Sequence, residues 1–391
     1  MLRRYSTRSM AVRRGRLVLM TADTVGGVWH YAVELAAALG AHGVRVALAT
    51  MAGPLTRLQR AQIAGVPTAT VHESTYKLEW MPEPWRDVTS AGAWLLGLER
   101  KLRPDVVHLN QFAFGDLPFD APKLVVAHSC VLTWWRAVHG TAAPREWNRY
   151  RTAVRRGLNG AALVTAPTGA MLRTLRDNYG FEGRGLAIPN GRSARDYRQG
   201  RKEPLILAAG RLWDSAKNLS ALEAVAPALP WPVLVAGSNS QPGGGVRESR
   251  GVQALGELSS EALANEFARA AIYALPARYE PFGLSVLEAA LSGCALVLGD
   301  IPSLREVWGA AAMYVAPDDH AALEASLSRL IADESLRNRL AGAARARALV
   351  FTPERKAAAY LAVYRALAEG ARAAPLGQSP VFAAEARACA W

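Results

Sequence analysis

Residues 16–50 read RLVLMTADTVGGVWHYAVELAAALGAHGVRVALAT. The apolar runs at 16–21 and 44–50 predict two strands, residues 28–40 predict a helix, and Gly26-Gly27 predicts the turn before it. Strand, glycine turn, helix and strand form a βαβ unit, which requires a parallel sheet covered by helices. The glycines let the backbone approach a ligand at the carboxyl end of the first strand. This opening segment therefore predicts an α/β fold with a ligand site at one sheet edge.

The same alternation continues through both halves of the 391-residue chain. A polar, unpatterned stretch at 192–203 predicts a linker, and a chain of this length is expected to form two domains. We expect two doubly wound Rossmann-like domains, at 16–195 and 196–368, whose parallel sheets face each other across a cleft, with the last helix able to pack back on the first domain. The further predicted strands are 106–109, 124–127, 163–167, 187–189, 205–209, 233–236, 252–255, 272–275, 295–298 and 313–315.

The charge is uneven along the chain. The net charge is +13, and all of it lies in residues 1–198, which hold 27 Lys and Arg against 14 Asp and Glu. Six arginines fall in residues 1–16, so we expect a basic, disordered tail at 1–15, and a second loose tail at 369–391. A basic half suits anionic lipid headgroups or an acidic acceptor. It would also suit nucleic acid, but we expect no nucleic acid partner.

The sequence has no apolar run long enough for a transmembrane helix and no signal-peptide core. The three cysteines are far apart, without CxxC pairs or metal-ligand spacing. We therefore predict a cytoplasmic protein with reduced thiols and no metal site. A peripheral contact with the inner face of the cell membrane is compatible with the basic half.

Residues 277–293 read ARYEPFGLSVLEAALSG and combine a loop with the start of an apolar helix. Glu280 lies in the loop, and Glu288 lies about 7.5 Å further along the helix than Gly283. Carboxylates at a helix start offer acceptors to neutral hydroxyls, whereas free amides at that start favour an anion. The amides expected to be free are those of Phe282, Gly283 and Leu284. Taken singly, each glutamate would more often be a solvated surface residue.

Three further side chains follow predicted strands. Arg211 comes directly after the strand at 205–209, Lys217 opens the next helix, and His128 follows the strand at 124–127. Arg211 and Lys217 are expected to bind one diphosphate. The planar guanidinium of the arginine can donate two parallel hydrogen bonds, and the lysine contributes a compact positive charge. Singly, either cation would more often be a surface charge, and an isolated His128 would more often be a core histidine.

These motifs resemble the retaining glycosyltransferases of family four, which have the GT-B fold, over residues 16–368. The resemblance rests on Gly26-Gly27, His128, Arg211 with Lys217, and the E-x7-E motif of Glu280 and Glu288. It implies transfer of a hexose from a UDP-, GDP- or ADP-sugar, with retention at the anomeric carbon and without metal or cofactor.

The resemblance also implies roles for these residues. Glu280 would face the hexose hydroxyls, Glu288 the ribose hydroxyls, and the two cations the diphosphate, while Gly27 and His128 would approach from the other domain. The chain departs from the family pattern at Ser129, where Asp is frequent, at Asn218, where Gly is usual, and at residues 190–193, which read NGRS instead of NGVD. Glu306 matches a frequently acidic position and is interpreted as structural.

The acceptor is less defined. Trp134 and Trp135 lie six and seven residues after His128 and are the best candidates for an acceptor wall. A carbohydrate or lipid-linked acceptor in polysaccharide, lipopolysaccharide or glycolipid synthesis would fit. Two alternatives stay open: a GT-B sugar-nucleotide epimerase, and a non-catalytic scaffold that binds carbohydrate or membrane.

Overall fold

A computed structural model of the chain describes residues 16–240, 245 and 247–370. The predicted tail at 1–15 lies outside the described residues, as does the tail at 369–391 from residue 371 onward. The described chain forms two parallel β-sheets, each with an apolar core on both of its faces. The predicted pair of doubly wound α/β domains is therefore confirmed.

The N-terminal sheet has, within the described residues, the strand order β3-β2-β1-β4-β5-β6-β7. Its order reverses between β1 and β4, the point at which open α/β sheets bind ligands. The strands are β1 (Leu17–Asp23), β2 (Arg45–Met51), β3 (Ala69–Glu73), β4 (Val106–Leu109), β5 (Lys123–Val126), β6 (Leu163–Ala166) and β7 (Gly185–Ala187).

Successive residues of β1 enter opposite cores, as the period of a strand requires. Val18 and Met20 pack in one core, and Leu19 packs in the other. The helices of this half are α1 (Gly27–Gly40), α2 (Arg57–Ala64), α3 (Trp85–Leu102), α4 (Val131–His139), α5 (Asn148–Gly160) and α6 (Gly169–Tyr179).

The C-terminal sheet repeats this plan with the order β10-β9-β8-β11-β12-β13 in the part of the chain that is described. Its reversal lies between β8 and β11. The strands are β8 (Glu203–Ala209), β9 (Val233–Ala236), β10 (Gln253–Gly256), β11 (Ala270–Leu275), β12 (Ala295–Gly299) and β13 (Met313–Val315). The helices are α7 (Leu219–Val225), α8 (Ser260–Arg269), α9 (Leu284–Leu291), α10 (Pro302–Trp308), α11 (His320–Ala332), α12 (Glu334–Ala348) and α13 (Pro353–Ala368).

The last helix, α13, packs against the N-terminal domain, where it contacts α1 and β4. Tyr360 and Tyr364 are fully buried in the core that also contains Val18 and Met20. Their hydroxyls lie 3.2 Å from Thr165 Oγ1 and 2.7 Å from His108 Nδ1, respectively. The final helix therefore belongs in space to the domain that begins the chain.

Most differences from the predicted elements have local causes. The edge strand β3 is only half-buried, so it carries no strong apolar alternation and was not predicted. Residues 145–147 form a 3₁₀ turn, and α5 begins directly after it at Asn148. Within the described residues, no helix is both long enough and apolar enough to span a bilayer.

Candidate functional site

The loops after β8 and β11 carry two of the predicted donor residues. Lys217 ends a 3₁₀ turn at 215–217 that follows β8, and Glu280 lies in the loop after β11. Because β8 and β11 are neighbours in the sheet, their carboxyl ends meet and the two loops are brought together. The Lys217 ammonium donates to Glu280 Oε2 and forms a largely buried ion pair.

The second oxygen of Glu280 faces the start of α9. Its Oε1 accepts hydrogen bonds from the backbone amides of Phe282, at 3.3 Å, and Gly283, at 2.9 Å. Gly283 has a φ of 86°, a left-handed conformation that favours glycine. Burial alone would raise the pKa of Glu280, but Lys217 and the two amides outweigh it and hold the pKa below its usual value. Glu280 is therefore an ionised hydrogen-bond acceptor at neutral pH.

These contacts correct one expectation. The amides of Phe282 and Gly283 were expected to be free for an anion, which is wrong, since both donate to Glu280. A negative group at this helix start is supplied by the protein itself. The assignment of Phe282, Gly283 and Leu284 to donor binding stays a prediction.

The Arg211 guanidinium is held by a residue that the sequence patterns did not single out. Its Nη2 donates to Asp214 Oδ2 at 2.7 Å, and it lies over the Trp213 ring. Asp214 is 3% exposed, and its Oδ1 accepts from Ala216 N and from Trp134 Nε1 of the other domain, at 2.9 Å. Burial opposes ionisation of Asp214, but Arg211 and these donors lower its pKa.

Trp134 was predicted to form an acceptor wall with Trp135. The structure instead uses its indole N–H to join α4 to the Asp214 loop across the domain interface. Its ring also lies against Trp135 and His139. An acceptor could therefore contact Trp134 only through the ring surface that Asp214, Trp135 and His139 leave uncovered.

Glu288 lies just over one turn inside α9 and is paired with Arg192 of the linker. Arg192 Nε donates to Glu288 Oε1 at 2.7 Å, and Arg192 Nη1 donates to Glu34 Oε2 of α1 at 3.2 Å. Glu280 and Glu288 thus have different cationic partners. They do not share a proton or a cation.

On the N-terminal side, His128 follows β5 and is largely enclosed. Its Nε2 lies 2.7 Å from Asn110 Oδ1, and Asn110 Nδ2 donates to the carbonyl of Thr21. The amide of Asn110 is thereby oriented, so His128 carries its proton on Nε2. Burial, with the nearby Lys356 ammonium, lowers the pKa of His128 to about 3. His128 is a neutral hydrogen-bonding group at neutral pH.

Gly26 and Gly27 lie at the start of α1 and are exposed. Gly26 is the N-cap, with a φ of 79° and open space where a side chain would lie. One turn on, His30 is close enough to Arg192 and Glu288 for both to influence its pKa, which burial lowers. The glycine turn thus lies beside the Glu288 side of the cleft.

Asp23 ends β1, and its Oδ1 is buried without a hydrogen-bond partner among the described residues. Burial raises the pKa of Asp23 to about 7, and Arg211 of the facing domain opposes this rise. Gln111 follows β4 on the same sheet edge, and both of its side-chain polar atoms are likewise buried without a partner there. The point where the strand order of the N-terminal sheet reverses, between β1 and β4, therefore holds buried polar atoms without partners among the described residues.

The two domains also touch directly around the cleft. Cys130 N donates to Tyr279 Oη at 3.1 Å, and Thr168 Oγ1 donates to the carbonyl of Pro281 at 3.1 Å. A cavity of about 550 Å³ lies between α4 and the loop that contains Asp214. No group of three or more metal-ligating side chains occurs in the described part of the chain.

The structure thus brings Arg211, Lys217, Glu280 and Glu288 to one side of a cleft, with Gly26, Gly27 and His128 contributed by the other domain. Sequence reasoning missed Asp23, Asn110, Asp214 and the partners of Arg192. Asp23 and Asn110 had a usable signal, because each stands at the carboxyl end of a strand next to the switch point. The contact of Asp214 with Trp134 and the partners of Arg192 had none, since those residues are distant in sequence.

Comparison with known protein families agrees with this architecture. The family model described as Glycosyltransferase Family 4 matches residues 25–194, and the model described as Glycosyl transferases group 1 matches residues 203–333. Glycogen synthase from Mycobacterium tuberculosis is 29% identical over 308 residues, which cover 71% of this chain and 73% of that protein.

Solved structures show the same fold. Sucrose-phosphate synthase from Thermosynechococcus elongatus has a TM-score of 0.78 and 19% identity, covering 91% of this chain and all of that one. HepE from Anabaena, solved with UDP and glucose, has a TM-score of 0.65 and 15% identity, covering 89% and 99%. The fold is thus GT-B, and the chain is a glycosyltransferase that belongs to family 4, the group 1 glycosyltransferases.

Proposed function

We propose that this enzyme transfers a hexose from a nucleoside diphosphate sugar to a hydroxyl of an acceptor, with retention at the anomeric carbon. The observation that carries the proposal is the charged set in the cleft, in which two cations and two separately paired carboxylates surround one helix start. A diphosphate needs the cations, and a hexose and a ribose need hydroxyl acceptors.

Arg211 and Lys217 are proposed to hold the diphosphate. Negative charge grows on the departing diphosphate during glycosyl transfer, so preorganised cations stabilise the transition state more than the ground state. Arg211 is preorganised by Asp214 and Lys217 by Glu280. These fixed cations supply the charge stabilisation, and we propose that the reaction needs no metal and no cofactor beyond a UDP-, GDP- or ADP-sugar.

Glu280 is proposed to accept hydrogen bonds from the hexose hydroxyls and Glu288 from the ribose hydroxyls. Retaining hydrolases place two carboxyl groups about 5 Å apart, flanking the scissile bond. Here Glu280 is bound by Lys217 and two amides, and Glu288 by Arg192. This arrangement favours front-face substitution, in which the leaving phosphate accepts the acceptor proton, over a covalent intermediate on either carboxylate.

The acceptor is proposed to be a carbohydrate or a lipid-linked saccharide in polysaccharide, lipopolysaccharide or glycolipid synthesis. Neutral His128 with Asn110, and the unpaired polar atoms of Asp23 and Gln111, line the carboxyl edge of the N-terminal sheet. Buried polar atoms without partners favour a ligand or water that completes their hydrogen bonds. A hydroxyl-rich acceptor end meets that requirement.

A peripheral contact with an anionic membrane at the inner face of the cell membrane is proposed for α5. Arg149, Arg155 and Arg156 are exposed on this helix, opposite the buried Tyr150 and Val154. Such a contact is electrostatic, so binding to anionic vesicles should weaken as salt rises. Salt-independent binding, or none, would remove this part of the proposal.

The test of the main proposal is a screen of UDP-, GDP- and ADP-hexoses by thermal shift and by release of the nucleoside diphosphate. A donor that binds the folded enzyme raises its melting temperature by mass action. Lys217→Ala should lower turnover of the donor that binds by about 10²- to 10³-fold. Conversion of the sugar nucleotide to an epimer without an acceptor would favour the epimerase instead, and no binding to any of these donors would overturn the proposal.

A further inference from the structure

Four alternating charges connect the two domains behind the proposed ribose site. Arg192 binds Glu288 of α9 at 2.7 Å and Glu34 of α1 at 3.2 Å. Lys356 of α13 donates to the same Glu34 oxygen at 2.7 Å. The order in space is therefore Glu288, Arg192, Glu34, Lys356, and the four formal charges cancel.

The four side chains are largely withdrawn from water. Their exposed fractions are 12% for Glu288, 14% for Arg192, 20% for Glu34 and 1% for Lys356. Removing one partner from such a network leaves an uncompensated charge, whereas a neutral network of good geometry is tolerated. Arg192 is the central member, because it alone bridges the two glutamates.

The network continues to the acceptor side of the cleft. The Lys356 ammonium lies 4.7 Å from the centre of the Tyr31 ring. The Tyr31 ring meets the His128 ring edge to face, with centroids 4.5 Å apart. One contiguous set of contacts thus runs from Glu288 in one domain to His128 in the other.

Arg192 occupies only one oxygen of Glu288. Its Nε donates to Oε1, and a carboxylate has a second oxygen that can accept hydrogen bonds from hydroxyls. Held by Arg192, and hydrogen-bonded by the Tyr197 hydroxyl, the carboxylate keeps one orientation. Without Arg192, Glu288 would lose its charged partner and be free to rotate.

We infer that Arg192 is the positioning residue for the proposed ribose contact: it holds the Glu288 carboxylate in the orientation that accepts from the ribose hydroxyls, and Glu34 and Lys356 hold Arg192. The inference rests on the proposed function, because it takes Glu288 as the ribose-binding group. The opposite role, in which Arg192 competes with the ribose for Glu288, makes the reverse prediction for affinity.

The test compares nucleoside diphosphates with their 2′,3′-dideoxy counterparts by isothermal titration calorimetry, for uridine, guanosine and adenosine. The dissociation constant of the dideoxy compound is divided by that of the ribose compound. This ratio reports the contribution of the hydroxyl contacts alone. Since a hydrogen bond to a charged group is worth a tenfold or larger change in binding, this ratio should fall about tenfold in Glu288→Gln. Arg192→Met should reduce it similarly, and Arg192→Lys should restore part of it.

Arg192→Met leaves a net negative charge and can fail to fold, so the charge-balanced variant Arg192→Met with Glu34→Gln is tested beside it. Arg195→Ala, an exposed arginine of the same linker, is the matched control and should keep the wild-type ratio. A wild-type ratio in the balanced variant, or tighter binding of the diphosphate there, would overturn the inference. If no diphosphate binds the wild-type enzyme, both the inference and the proposed function fail. If diphosphates bind but Arg192 leaves the ratio unchanged, only the inference fails.

Discussion

The two sheets reverse their strand order in the same way, but the two reversal points differ in charge. Between β8 and β11, the ionised side chains are paired with each other, Lys217 with Glu280 and Arg211 with Asp214. At the N-terminal sheet edge around β1, β4 and β5, the polar groups are neutral or unpaired: His128 is neutral, and the pKa of Asp23 is raised to about 7. This difference matches the proposed roles, a charged ligand at the C-terminal sheet and a ligand with hydroxyls at the N-terminal sheet.

The largest effect should come from the charged edge, the edge of the C-terminal sheet where Lys217, Glu280, Arg211 and Asp214 lie. Lys217→Ala should lower kcat about 10²- to 10³-fold, since it removes a fixed cation from the site where negative charge develops. Lys217→Arg, which keeps the charge but not the geometry, should recover part of the loss. Steady-state release of nucleoside diphosphate measures both. A kcat near the wild-type value in Lys217→Ala would show that the charged edge does not drive the chemistry.

Asp23 tests the other edge through pH. Its folded-state pKa of about 7 lies above the unfolded value of 3.8, so the folded protein holds the proton more tightly. The free energy of unfolding should therefore fall as pH rises from about 4 to about 7, by at most about 1.4 kcal/mol for each pH unit. Asp23→Asn should lack this loss and be the more stable protein at pH 8.

Chemical unfolding of Asp23→Asn and wild type between pH 4 and 8 measures that difference directly. The exposed Asp177→Asn serves as the control and should follow the wild type across the range. If the Asp23→Asn curve runs parallel to wild type, Asp23 is ionised throughout and the contrast between the two edges is smaller than stated.

The contact between Asp214 and Trp134 tests whether the two edges act together. Asp214→Asn should lower kcat/KM about tenfold, because Arg211 loses a charged hydrogen-bond partner. Trp134→Phe removes only the interdomain hydrogen bond and should have a smaller effect. The double variant, measured in the same assay, gives the coupling between them. If both single variants lower kcat/KM equally, the loss comes from the weakened domain interface and not from a changed orientation of Arg211.

The smallest effect is expected at Glu306, which was interpreted as structural from the sequence. Glu306 of α10 accepts from the amides of Gly169 and Ala170, at 2.6 and 2.8 Å, and so caps α6 of the other domain. Glu306→Ala should cost about 1 kcal/mol of stability, as loss of a helix cap does, with kcat unchanged. Urea unfolding measures the cost. A large fall in kcat at unchanged stability would assign Glu306 to the charged edge.

The local parts of this structure were predictable. The strand at 233–236 has the predicted bounds, because a continuous apolar run marks it. The half-buried β3 lacks such a signal. In the site, motif resemblance identified Lys217 and Glu280, but their contact depends on β8 lying next to β11, which no short stretch encodes. The partners of Arg192 could not be predicted for the same reason, since Glu34 and Glu288 lie 158 and 96 residues away in the sequence.

The return of α13 to the first domain also determines how the chain can be divided. The N-terminal domain is discontinuous: its core includes Tyr360 and Tyr364, and its partly buried Glu34 is paired with Lys356. A fragment that ends in the linker would expose the surface that α13 covers and leave His108 Nδ1 without the Tyr364 hydroxyl. The enzyme therefore cannot be split at its linker into two self-sufficient halves, and the helix at 353–368 must be supplied for the first half to complete its core.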